Sequence, residues 1–274
     1  MPSIQLSTNV VFNHLEHSKK RFIVEQGGTR SGKTYNILIW IIFKYCLSNT
    51  NKTISICRKH GPSLRGSAMR DFFEILQNND LYSETQHSKS LNEYRLNGNL
   101  VEFFSLDEPQ KIRGRKRNLL FINEGNELSY EDFFQLNIRT TEKIIIDYNP
   151  SDEFHWIYDN LLVRDDVEFH KTTYLDNPFL GAELIDQIER LKGVDENYWR
   201  VYGLGERGSS KALIYSFTEV DEIPTEGGVK HIGYGLDFGF TNDPTSLVSV
   251  YLNEDGLFVD ELLYRTEMTN PDIG

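Results

Sequence analysis

Apolar residues along this chain gather in short continuous runs set between helical patterns. Phe22 to Val24 form a brief β-prone run, and a helical apolar pattern follows the next glycines as far as Phe43. Residues 53–59 (TISICRK) read as a buried strand, and 63–77 (SLRGSAMRDFFEILQ) as an amphipathic helix opened by Ser63. Residues 94–106 alternate and turn at Asn97-Gly98, the signature of a hairpin. Leu119 to Ile122 make another apolar strand, ending on Asn123 and Glu124. Residues 143–149 (KIIIDYN) make a further one, ending on Asp147 and Asn149 ahead of Pro150. Strands of this kind, alternating with helices, predict an α/β fold with a mostly parallel sheet covered on both faces. Near the C-terminus, residues 231–240 and 246–264 predict three more strands, the last two joined at Asn-Glu-Asp-Gly.

Charge divides the chain. The net charge is -12 over 274 residues. Residues 1–211 carry 27 basic and 29 acidic side chains, whereas residues 212–274 carry 2 and 12. That asymmetry predicts two units. The Gly/Ser-containing stretch 205–215 has the composition of a linker, which sets expected domains at 1–207 and 208–274. With 39% hydrophobic residues a packed core is expected. Cys46 and Cys57 lack metal-ligand spacing, and the longest apolar run, residues 37–43, is too short to span a bilayer. No N-terminal signal pattern is visible, so a soluble intracellular protein is expected.

The chemistry concentrates where strands end. Residues 27–34 read GGTRSGKT, the phosphate-binding pattern G-x-x-x-x-G-K-[ST], between a strand and a helix as its mechanism requires. Gly27, Gly28, Thr29, Arg30, Ser31 and Gly32 would wrap phosphate oxygens with backbone N–H groups. Lys33 would neutralise β- and γ-phosphates, and Thr34 would offer its hydroxyl to Mg²⁺. Roughly 90 residues separate this loop from Glu124, room for the extra strands of a RecA-like core. P-loop enzymes usually carry two acids at the second strand end. Here Asn123 replaces the first, leaving Glu124 as the general base. Between hairpin and strand lies a basic strip, Lys111, Arg113, Arg115, Lys116 and Arg117. One of its arginines suits a finger reaching a neighbour's γ-phosphate, and the others suit a DNA backbone.

In this order the motifs GGTRSGKT, KIRGRKRNLLFINEGNEL, IIIDYNP, NPFLGAELIDQIERL, YWRVYGLGE and GYGLDFGFTNDPTSLV resemble the large terminase subunit of tailed bacteriophages, in its branch with Asn-Glu on the glutamate strand. The resemblance covers nearly the whole chain. It implies a motor that uses ATP and Mg²⁺ to pump double-stranded DNA into a procapsid, followed by a nuclease of RNase H-like fold using Mg²⁺ or Mn²⁺. It implies Lys33 and Thr34 at phosphate and magnesium, Glu124 in hydrolysis, Arg113 as the trans finger with Arg30 second, and Asn149 in coupling. Asn123 bears on metal affinity more than on hydrolysis. Asp237 and Asp243 are implied as the first nuclease carboxylates. Asp260 and Glu261, outside that implication, are possible local ligands but read first as ending a strand. The later strands of such a site are absent from the sequence, so an incomplete, inactive nuclease is expected. Implied partners are a small terminase subunit, the portal and procapsid, and copies of this chain in a ring, with no membrane, in the host cell cytoplasm. Two alternatives remain: a RecA-like helicase or DNA-repair ATPase, and a nucleotide-gated interaction protein without catalysis. A small-molecule kinase would usually show a lid instead of a second acidic module.

Overall fold

The computed structural model describes residues 6–107, 116–208, 218, 220–223, 228–239, 244–254, 256–266 and 268. Arg113 and Asp243 lie outside the described residues, as do Lys111, Arg115 and residues 209–215 of the expected linker. The chain divides into two compact units, Met1–Lys211 and Ala212–Gly274.

The first unit is built on eight strands: β1 (Phe22–Gly27), β2 (Thr53–Arg58), β3 (His87–Ser88), β4 (Glu93–Leu96), β5 (Asn99–Ser105), β6 (Arg117–Asn123), β7 (Thr140–Tyr148) and β8 (Val167–Thr172). They lie in the order β3-β4-β5-β2-β6-β7-β1-β8. From β5 to β8 every pairing is parallel. Only β3 and β4 bring antiparallel pairings, at one edge. The turn joining β4 to β5 places Asn97 and Gly98 at φ 50° and 76°, the left-handed pair a tight hairpin needs.

Continuous apolar strands have two buried faces because successive side chains point to opposite sides. Ile23, Leu119, Phe121 and Ile145 join one core cluster, together with the helices Val10–His17 (α1) and Lys33–Trp40 (α2) and with Phe72 and Leu76. Their neighbours Phe22, Leu120, Ile122, Ile144 and Ile146 join the other, under Phe133, Leu136, Ile157 and Leu161.

The helix expected over 63–77 differs at its start. It begins at Gly61 with Pro62 in its first turn, and the Asp107 carboxylate accepts the Gly61 N–H at 2.9 Å. Proline suits that position because its missing N–H has no helical partner there, so Ser63 opens nothing. The backbone kinks at Ser67, and a regular helix resumes over Arg70–Asn78.

The second unit holds the three expected strands, β9 (Lys230–Asp237), β10 (Thr245–Leu252) and β11 (Leu257–Arg265), antiparallel in the order β11-β10-β9. Ile232, Leu236 and Val259 are exposed on it. Among the described residues no helix is long and apolar enough to cross a membrane.

Candidate functional site

At the C-terminal edge of β1 the chain turns from Gly27 into α2, and Gly32 caps that helix at φ 79°. The loop is clamped from outside. Gly28 N–H donates to the Thr172 carbonyl at 3.0 Å, and Thr29 N–H to the Tyr202 carbonyl at 2.8 Å. A β-carbon on Gly28 would stand 2.5 Å from the Tyr202 carbonyl, so only glycine fits. Asn9, which caps α1, donates from Nδ2 to the Ser31 carbonyl at 2.7 Å, and its N–H reaches Asn36 at 2.9 Å.

Lys33 is buried, and its Nζ bonds the Gly27 and Gly28 carbonyls at 3.0 Å each, Ser31 Oγ at 3.3 Å and Asn149 Oδ1 at 3.1 Å. All four acceptors are neutral oxygens. Burial therefore pulls the ammonium's pKa down, against the attraction of Asp147, Glu124 and Glu25. Beside it lies a cavity of about 260 Å³ lined by residues 28–35, Asp71, Glu124 and Asn149.

Strands β6 and β7 bring their ends to this cavity because their register sets Asn123 beside Asp147. Asn123 Nδ2 donates to Asp147 Oδ1 at 3.0 Å, and Asn123 Oδ1 accepts from Ser67 Oγ at 3.1 Å. Thr34 Oγ1 donates to Asp147 Oδ2 at 2.5 Å. Glu124 follows with a left-handed φ of 54°, uncommon for a residue with a side chain and costing about 1–3 kcal/mol. Burial, then the nearby Asp147 charge, pushes the Glu124 acid up to about 7, against the pull of Lys33 and Arg58. The arrangement joins a buried ammonium at a helix N-terminus with hydroxyl, amide and carboxylate oxygens. Such a set fits a polyphosphate and a hard divalent cation.

The other expected positions divide. Arg30 stands exposed at the loop tip with φ 62°, its carbonyl held by Asn177. Arg113, the expected trans finger, is outside the described residues. Arg117, expected in a DNA-facing strip, is instead buried at the start of β6 with its guanidinium 5.2 Å from the Phe104 ring centre. It is part of the core because the strand begins at Arg117. Lys116 is exposed. In the second unit Asp237 ends β9 and is exposed, while Asp243 is outside the described residues. Asp260 and Glu261, read as ending a strand, lie within β11. The register runs Asp237–Ser246–Tyr264, so neither stands in line with Asp237 across the sheet.

Among the described residues, His14, Glu25 and His170 also bring ligand atoms within 4.8 Å of one another. Their imidazoles stack at 3.7 Å with planes 8° apart, so in-plane lone pairs run side by side and do not converge on one ion. His14 instead hydrogen-bonds the buried Glu25 carboxylate at 3.1 Å. Sequence reasoning set Asp147 among the residues gathered at the strand ends but gave it no role, and it missed Asn9 and Ser67. The Asn9-Val-Val-Phe start carried a capping signal for Asn9. Nothing local marks Ser67, which reaches Asn123 through the helix kink.

Comparison with known proteins adds a lineage. A family model described as phage terminase large subunit matches residues 19–206. The PBSX phage terminase large subunit of Bacillus subtilis (strain 168) is 24% identical over 282 residues, covering 89% of this chain and 64% of that protein. The terminase large subunit of Bacillus phage SPP1 is 25% identical over 255 residues, covering 82% and 59%. This chain therefore spans less than two thirds of either relative's length. The large terminase of a thermophilic bacteriophage, solved in complex with ADP, shares the fold with a TM-score of 0.62 at 18% identity, over 93% of this chain and 69% of that one.

Proposed function

The chain belongs to the phage terminase large-subunit family, and on that footing we propose that it is an ATP-driven motor that moves double-stranded DNA into a procapsid. The observation that carries this reading is Lys33, a buried ammonium held by four neutral oxygens beside an open cavity. Such a charge gains most from a polyanion, and residues 27–34 supply the glycine loop that phosphates need. The triphosphate of ATP is the ligand of that chemistry, consistent with the ADP carried by the similar terminase of the thermophilic phage.

Thr34 offers an oxygen of the kind Mg²⁺ takes, and Asn123 stands beside it with its Nδ2 toward Asp147. When bound with ATP, that ion would supply positive charge against the charge developing on the phosphate oxygens. Glu124 orients the attacking water and accepts its proton, the role for which an acid near 7 is suited. Asn149 touches Lys33 directly, so loss of the γ-phosphate is felt at the end of β7, the route by which hydrolysis is coupled to movement. Arg113 from a neighbouring copy, with Arg30 second, completes the γ-phosphate contacts in a homo-oligomeric ring. The second unit opens an RNase H-like nuclease in which Asp237 and Asp243 would hold Mg²⁺ or Mn²⁺. Double-stranded DNA, a small terminase subunit and the portal of a procapsid are the partners, in the host cytoplasm.

ATP turnover measured with long duplex and with single-stranded DNA tests the reading. Stimulation by long duplex is expected. Stimulation by single strands alone would favour a helicase, and absence of turnover under every condition would favour a nucleotide-gated interaction protein.

A further inference from the structure

The second strand end of this site carries an amide where an acid normally stands, yet a carboxylate is present one strand away. Asp147, 1% exposed on β7, is bonded by three groups of the site. Thr34 Oγ1 donates to its Oδ2 at 2.5 Å, while Asn123 Nδ2 and the Glu124 N–H each donate to its Oδ1 at 3.0 Å. We propose that Asp147 is the metal-positioning carboxylate of the nucleotide site, standing on β7 in place of the acid that β6 lacks at Asn123. The inference rests on reading the cavity as a Mg²⁺-nucleotide site.

Three features support it. First, the hydroxyl bonded to Asp147 belongs to Thr34, the residue that the phosphate loop presents to a cation. A hydroxyl that gives its proton to a carboxylate keeps a lone pair for a metal ion, even with Asn123 Nδ2 donating to Thr34 Oγ1 at 3.4 Å. Second, the amide of Asn123 has a fixed orientation: its Nδ2 donates to Asp147 at 3.0 Å, and its Oδ1 lies 3.1 Å from Ser67 Oγ, whose proton the Ser63 carbonyl shares at 2.7 Å. An ionised carboxylate only accepts hydrogen bonds, so Asn123 must turn its Nδ2 toward Asp147. Third, an acid at position 123 would set two carboxylates against each other over that 3.0 Å contact, where both cannot readily be ionised. The pair Asn123–Asp147 thus keeps one carboxylate beside Thr34, as the usual arrangement does, but places it on the neighbouring strand. Asp147 acts through Thr34 and the cation's water shell, so it positions and does not itself react.

The test exchanges the two residues. Binding of a non-hydrolysed ATP analogue is followed by calorimetry while Mg²⁺ is titrated, and again in chelator, for the wild type, Asp147→Asn, and the double variant Asn123→Asp/Asp147→Asn. Melting curves establish that each is folded. Asp147→Asn is expected to raise the Mg²⁺ concentration for half-maximal binding about tenfold or more, the cost usual for removing a group that orients a metal ligand, without weakening binding in chelator. The double variant, which restores one acid and one amide in reversed places, is expected to recover most of the loss. An unchanged Mg²⁺ requirement in folded Asp147→Asn overturns the proposal. If Asp147→Asn fails to fold, the double variant decides alone: a wild-type Mg²⁺ requirement supports the exchange, and loss of Mg²⁺ dependence overturns it. A wild type that binds no nucleotide with or without Mg²⁺ would overturn the reading of the cavity itself, a different failure.

Discussion

Glu124 gives its backbone N–H to the Asp147 carboxylate at 3.0 Å, and the same negative charge helps keep the Glu124 side chain protonated. One contact thus fixes the left-handed backbone at Glu124 and tunes its acid. Strain and a displaced pKa at a single residue are what a site built for proton transfer shows.

A pH dependence follows for Glu124. Its acid is raised from 4.5 to about 7, so the folded state holds the proton more tightly than the unfolded chain. That contribution to stability is full below the ordinary value and is lost as pH rises through about 7. Activity runs the other way, because the base must be a carboxylate. ATP turnover is expected to rise from about pH 6 to about pH 8, and Glu124→Gln to cut it by about 10²–10⁴ while ATP still binds. Wild-type turnover in Glu124→Gln would give the proton to another group.

The two arginines separate by mixing. A trans finger works only where copies meet, so Arg113→Ala subunits mixed with Lys33→Ala subunits are expected to regain part of the turnover that each lacks alone. Arg30→Ala, if Arg30 acts within its own loop, gains nothing from the same mixing. Assembled mixtures of Arg113→Ala with Lys33→Ala that stay inactive would transfer the finger to Arg30.

Asn9 holds two structures at once, the start of α1 and the Ser31 carbonyl of the phosphate loop. Asn9→Ala removes both side-chain bonds and is expected to cost about 1 kcal/mol of stability. Nucleotide affinity should fall with it, because the loop loses an outer brace. Thermal melts with and without ADP check both effects, and unchanged melts in both conditions would contradict the assignment.

Residues whose roles depend on neighbours in sequence were readable from the chain. The glycine spacing of 27–34, the apolar runs ending at Asn123 and Asn149, and the Asn97-Gly98 turn are local patterns, and the structure contains them where they were expected. Contacts set by strand register were not readable. Asp147 meets Asn123 and Thr34 only because β7 lies between β6 and β1, and no spacing along the chain encodes that order. Arg117 belongs to a run of charge in the sequence, but strand pairing from Arg117 onward draws it inside. Ser67 reaches Asn123 through a kink that no helix periodicity reveals.

On the proposed function, the cavity beside Lys33 is where ATP is hydrolysed. The most direct measurement compares steady-state ATP turnover of the wild type and Lys33→Ala with Mg²⁺ and long duplex DNA, both proteins being verified as folded. Loss of one preorganised charge at the phosphates is expected to lower turnover by about 10² or more. Turnover by folded Lys33→Ala equal to the wild type would contradict the claim.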